Sequence, residues 1–210
     1  MLLPEPPDSR HPLEIDMAGP APQGAGMHAL RSPMLAELMP ELDRIEPRAR
    51  AAVAGLPESK FHEKPPDGGW SIAETFEHLC RANLSYLDGP LPGALEKARA
   101  RGGSAKPWRP SLTGRLLAGA MLEGGKPVPT AKAWRVTGEP RANVVDAFLA
   151  TVERLRAAML GADGQDLGVS FSSPLVSLVR VNLGDAFRVL VLHCHRHLAQ
   201  VERTRRAVGM

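Results

Sequence analysis

The chain has 210 residues, 43% of them hydrophobic and 23% charged, which describes one soluble globular domain with a sizeable core. Its net charge of +3 comes from scattered arginines, and aromatic residues make up only 4%. No stacking platform for nucleic acid is therefore expected. No apolar run approaches the roughly 20 residues of a membrane span, and two cysteines, Cys80 and Cys194, do not form a disulfide framework. Both cysteines read as small buried hydrophobes, with a thiolate ligand possible for Cys194. A cytoplasmic protein with no nucleic-acid or membrane partner is expected.

Residues 1–31 are rich in Pro and Gly and lack a basic segment followed by an apolar run. They read as a poorly ordered tail, or an arm packed on a neighbour, and not as a secretory leader. The bundle domain is expected over 32–210. Ser32-Pro33 predicts a helix start, and apolar residues from Leu35 to Val53 repeat at helical spacing, giving a first helix over Pro33–Leu56. Pro57 to Gly69 reads as a loop.

A second helix opens at Ser71, where Glu74 completes a capping box, and it stops before Gly89-Pro90. From Gly89 to Gly138 the chain is irregular, with short helices expected near Leu91–Ala100 and Ser111–Leu122. An insertion this long suggests a cover over a site. Its Lys and Arg residues, from Lys97 to Arg135, read as a solvated surface, with contact to an anionic substrate as the other reading. A third helix is predicted over Pro140–Leu160. Ser170 to Val181 is apolar and extended in character, and reads as a loop packed over one end of the bundle. No strand is expected. The last helix begins near Asn182 or Leu183 and runs to Arg206. Four long amphipathic helices with one insertion between the second and third describe an all-α four-helix bundle.

The last helix carries His193-Cys194-His195-Arg196-His197. His193 and His197 are four residues apart, so their imidazoles stack one turn apart on one face. At about 100° per residue, that face also holds Leu190, Cys194 and Val201, with Phe187 beside it. His195 falls on the far side with Glu202 and reads as solvated. Two readings of the inward pair stand. Each histidine is hydrogen-bonded to a neighbour in the core, or both give a lone pair to a metal ion.

An open site needs one more protein ligand. His11 and His28 lie in the tail, and His62 lies in a Pro-flanked loop. His78 is mid-helix on an apolar face, in a helix able to face the last one. The candidate set is His78, His193 and His197. Glu77 lies about 100° round the helix from that face and reads as a surface carboxylate. No catalytic residue can be assigned.

These stretches also carry a family resemblance. Gly69-Trp70-Ser71-Ile72-Ala73-Glu74 followed by Glu77-His78-Leu79, and His193 to Gln200 with its HxxxHxxQ pattern, resemble the DinB/YfiT-like superfamily over roughly Ser32 to Arg206. The resemblance implies a four-helix bundle holding a divalent ion (zinc, nickel or iron) on His78, His193 and His197. Gln200 matches a position that supports the site from behind its ligands, and Trp70 matches an aromatic packed at the helix start. Relatives include thiol-dependent transferases that use bacillithiol or mycothiol, isomerases and a few amide hydrolases. The resemblance therefore implies thiol transfer or hydrolysis on a small molecule, with a low-molecular-weight thiol as possible co-substrate and a homodimer as an expectation. The alternative is a metal-stabilised bundle that catalyses nothing and binds a small molecule or a protein partner. A DNA-damage role finds no support in the charge distribution.

Overall fold

The computed structural model describes residues 29–103, 107–124, 134–174 and 178–210. The expected tail as far as residue 28, with His11 and His28, lies outside them, as do Lys106, Lys126 and Lys132 of the insertion.

Ser32 caps the first helix, its Oγ accepting from the Leu35 amide at 3.4 Å. The single helix expected to Leu56 is divided at Arg44 into α1 (Pro33–Asp43) and α2 (Ile45–Val53). Pro47 explains the break. It has no amide hydrogen for the Asp43 carbonyl, and its ring crowds that carbonyl. The stretch from Pro57 to Gly69 is not wholly a loop. Pro57, at φ −63°, leads into the short α3 (Glu58–His62), and its carbonyl accepts from Lys60 and Phe61 at 2.9 and 3.0 Å.

Helix α4 (Ile72–Leu87) opens on the expected capping box. The Glu74 amide donates to Ser71 Oγ at 3.1 Å, and the Ser71 amide to Glu74 Oε2 at 2.9 Å. The insertion contains α5 (Pro90–Arg101) and α6 (Leu112–Ala120). Helix α7 (Val144–Gly161) starts later than predicted. Residues 140–143 stay outside the helix, 142–143 as a turn, where Arg141 bonds back to α4 through its own backbone and side chain.

Strands β1 (Ser170–Ser172) and β2 (Arg180–Asn182) pair antiparallel, with Phe171 opposite Val181. This short hairpin stands where a loop was expected. Val181 and Asn182 are buried at the bundle end while Arg180 is exposed, and three residues are too few for a strand's alternation to be read. Helix α8 (Leu183–Ala207) follows directly, capped by Asn182 and Asp185 in a second capping box. Asp185 also accepts from the Ser111 amide at 3.2 Å and from Ser111 Oγ at 2.6 Å, so one buried carboxylate serves the starts of both α6 and α8.

The architecture is an all-α bundle. Helices α7 and α8 each pack against the α1–α2 pair on one side and α4 on the other. Phe76, Leu79, Phe148, Leu155 and Phe187 are fully buried between them. Helix α8 also carries α6 on its outer side, so almost its whole circumference is covered. No helix of the described residues is long and apolar enough to cross a membrane.

Candidate metal centre

His78 comes from the middle of α4, and His193 and His197 come from successive turns of α8. One candidate ligand atom of each lies within 4.8 Å of the others. Nε2 of His78 is 3.1 Å from Nε2 of His193. Ring centroids are 4.6 Å apart for His78 and His197, and 4.5 Å for His193 and His197. Two nitrogens each bonded at about 2.0–2.1 Å to one zinc ion lie roughly 3–3.4 Å apart. The spacing fits a shared cation.

Hydrogen bonds set which nitrogen faces the centre. His78 donates from Nδ1 to the Trp134 carbonyl at 3.0 Å, which leaves a lone pair on its Nε2. His197 donates from Nδ1 to Gln200 Oε1 at 2.8 Å, one turn along α8. That bond fixes the orientation of the His197 ring from behind. His193 is different. Its Nδ1 is buried with no hydrogen-bond partner among the described residues. If it carries the proton there, two lone pairs face each other across 3.1 Å at the centre. If it donates from Nε2 to His78 instead, the Nδ1 lone pair is orphaned. Neighbouring side chains cannot satisfy this trio, which weakens the plain core-histidine reading. A cation at the centre would draw the facing lone pairs together.

The site disfavours protons. Burial lowers the affinity of all three rings for a proton. His193 titrates well below its ordinary range, from burial and then the neighbouring His197 and His78. His197 is lowered to about 3 by burial and then by His78, against the opposing effect of the Gln200 bond. His78 and His193 are 2% and 4% exposed, whereas His197 is partly exposed, so the centre meets solvent on the His197 side.

Two indoles line it. Trp70 lies 4.7 Å from the His78 ring and stacks at 6.1 Å and 25° on His197. It reaches the site as well as packing at the helix start. Trp134, at the end of the insertion, lies 5.5 Å from the His193 ring. Sequence reasoning missed Trp134, whose contribution is a backbone carbonyl, a group that every residue has.

Two expectations need correction. His195 is not solvated. It is buried, receives a bond at Nδ1 from Arg48 at 3.2 Å and donates from Nε2 to the Glu41 carbonyl at 2.9 Å. The far side of α8 faces α1 and α2 and is not a free surface. Glu202 on that side is likewise tied to Arg48 at 2.7 Å. Glu77 is not a surface carboxylate but is 3% exposed, bonded to Arg81 and Arg141. Cys194 does not join the cluster. Its thiol lies against Asn83, and burial pushes it up to about 12, as it does Cys80. His62 stays in its own corner, 3.0 Å from Glu58.

A family model for the DinB superfamily matches residues 41–201. No curated protein and no solved structure matches the chain.

Proposed function

The chain belongs to the DinB superfamily, and on that premise we propose that His78, His193 and His197 hold a divalent metal ion that activates a nucleophile, either a thiol or water, for reaction with a small molecule. The observation that carries this reading is the 3.1 Å approach of two imidazole Nε2 atoms whose Nδ1 groups do not allow mutual satisfaction. Three neutral rings leave the ion its full charge and a free coordination position, where it would lower the pKa of bound water toward about 7 or hold a thiolate.

The chain's own residues give such chemistry its setting. Gln200 and the Trp134 carbonyl fix two of the rings. Trp70 and Trp134 flank the rings, and the partly exposed His197 marks the side nearest solvent. No carboxylate joins the cluster among the described residues, so nothing beside the histidines offers a general base. This favours a nucleophile activated by the ion itself over an acid–base pair. Zinc, nickel and iron all suit imidazole donors.

A second reading keeps the ion without the reaction. His78 and His193 are almost wholly buried and join α4 to α8, so an ion there would also cross-link the bundle. Elemental analysis of gently purified protein is expected to find a divalent ion in stoichiometric amount. Thiol–acceptor pairs and amides then serve as substrates. His78→Ala is expected to abolish turnover while the helical circular dichroism spectrum persists. Metal-free protein would sink both readings. A metal-loaded protein that turns over no substrate, and in which His78→Ala only lowers the melting temperature, would leave the non-catalytic one.

A further inference from the structure

Residues 134–141, where the insertion returns to α7, are fastened to one side of α4 by side chains outside the metal cluster. Glu77 sits at the centre of that fastening. Arg141 donates to it from Nε at 2.8 Å, from Nη2 at 3.0 Å and from its backbone amide at 3.5 Å. Arg81, one turn further along α4, donates from Nε to Glu77 at 3.0 Å and from Nη1 to the Arg135 carbonyl at 2.8 Å. The preceding carbonyl, that of Trp134, accepts from His78 Nδ1, and the Trp134 indole donates to Ser85 Oγ at 3.0 Å. Burial pushes the Glu77 carboxyl up, and the bonds from Arg141 and Arg81 outweigh that and hold it below the ordinary carboxylate range. A charge this deep persists only with such partners.

We infer that Glu77 is a positioning residue for the three-histidine site. Through Arg81 and Arg141 it seats the Trp134 carbonyl on Nδ1 of His78, which keeps the His78 Nε2 lone pair turned toward His193 and His197. The role rests on the metal-binding reading only for its consequence. The placement of the carbonyl, and so the tautomer of His78, is a property of the chain alone. Released from that carbonyl, His78 would divide between two tautomers, and only one presents Nε2 as a donor atom for a cation. Partners of ligand histidines commonly change metal affinity by about 10–100-fold.

The test compares wild type with Glu77→Gln, which keeps the shape and removes the charge. In metal-free, 15N-labelled protein, long-range imidazole correlations are expected to show His78 as a single tautomer protonated on Nδ1 in wild type and as a mixture in the variant. Titration with Co2+ is expected to give roughly 10–100-fold weaker binding, with an altered visible absorption spectrum. Glu77→Asp is expected to recover part of both. A Glu77→Gln protein that melts earlier but keeps the wild-type tautomer, Co2+ affinity and spectrum would overturn the inference. If wild type binds no Co2+, the metal reading fails by itself and the tautomer comparison still decides the role of Glu77. Should Glu77→Gln fail to fold, Arg81→Met, on a partly exposed side chain, carries the same tautomer expectation and the same refutation.

Discussion

At the scale of single residues, the three histidines make the metal-free protein sensitive to acid. Each has its folded-state pKa depressed, by burial first, while an unfolded chain titrates near the ordinary 6.5. Above that value both states are neutral and the stability is fully present. As pH falls below it, the unfolded state takes up protons that the folded state refuses, so stability drains away toward the folded values, about 3 for His197. Each group contributes at most about 1.4 kcal/mol per pH unit over that window. Urea unfolding of the metal-free protein is expected to show lower stability at pH 5 than at pH 7.5, with a shallower slope in His193→Ala. A flat profile over this range would contradict the proton-refusing trio. The same reasoning explains why Cys194, although beside a candidate ligand in sequence, has no part in the site. It is held as a thiol against Asn83, and the helix turns it toward the core.

Among the elements, the start of α8 shows how closely the insertion packs against it. Gly184 lies in its first turn, where alanine would ordinarily be the better helix former by about 1 kcal/mol. A Cβ there would overlap the indole of Trp108, whose Nε1 donates to Asn182, the residue that caps α8, at 2.9 Å. Overpacking of this kind costs about 1–3 kcal/mol, and it would also disturb the cap. Gly184→Ala is therefore expected to lower the urea midpoint, and a raised midpoint would show that Trp108 moves aside freely. Helix α4 illustrates the complementary point. Its Ser71–Glu74 box was legible because capping is a local contract between neighbours in sequence. The break in α1–α2 was legible in principle through Pro47, but the continuous apolar period concealed it.

For the whole molecule, an ion held by α4 and α8 would join two helices that pack against each other and enclose the core. Binding to the folded state alone stabilises by about 2.7 kcal/mol when free metal is 100 times its Kd. In a domain of this size that corresponds to a rise of roughly 5–10 °C in melting temperature. Calorimetry of chelator-treated protein is expected to show that rise when metal is restored, and none in His193→Ala. An equal rise in the variant would place the ion elsewhere.

The all-α bundle, the caps at Ser32 and Ser71–Glu74 and the pair His193 and His197 could be read from the sequence, because they depend on periodicity and on short spacings along one helix. His78 stood out by its place mid-helix on an apolar face and by the resemblance. Tertiary structure alone decided what surrounds them. Glu77 and His195 looked like solvent-facing residues on a helical wheel, yet both are buried, because Arg81 and Arg141 close over one and α1–α2 with Arg48 over the other. The wheel assigns faces to a helix but cannot count the neighbours that pack on it. Nor could spacing reveal that the Trp134 carbonyl, 56 residues from His78, would set the tautomer of a candidate ligand. Side-chain pattern carries no information about where a backbone carbonyl arrives, and that placement is made only when the insertion folds back onto α4.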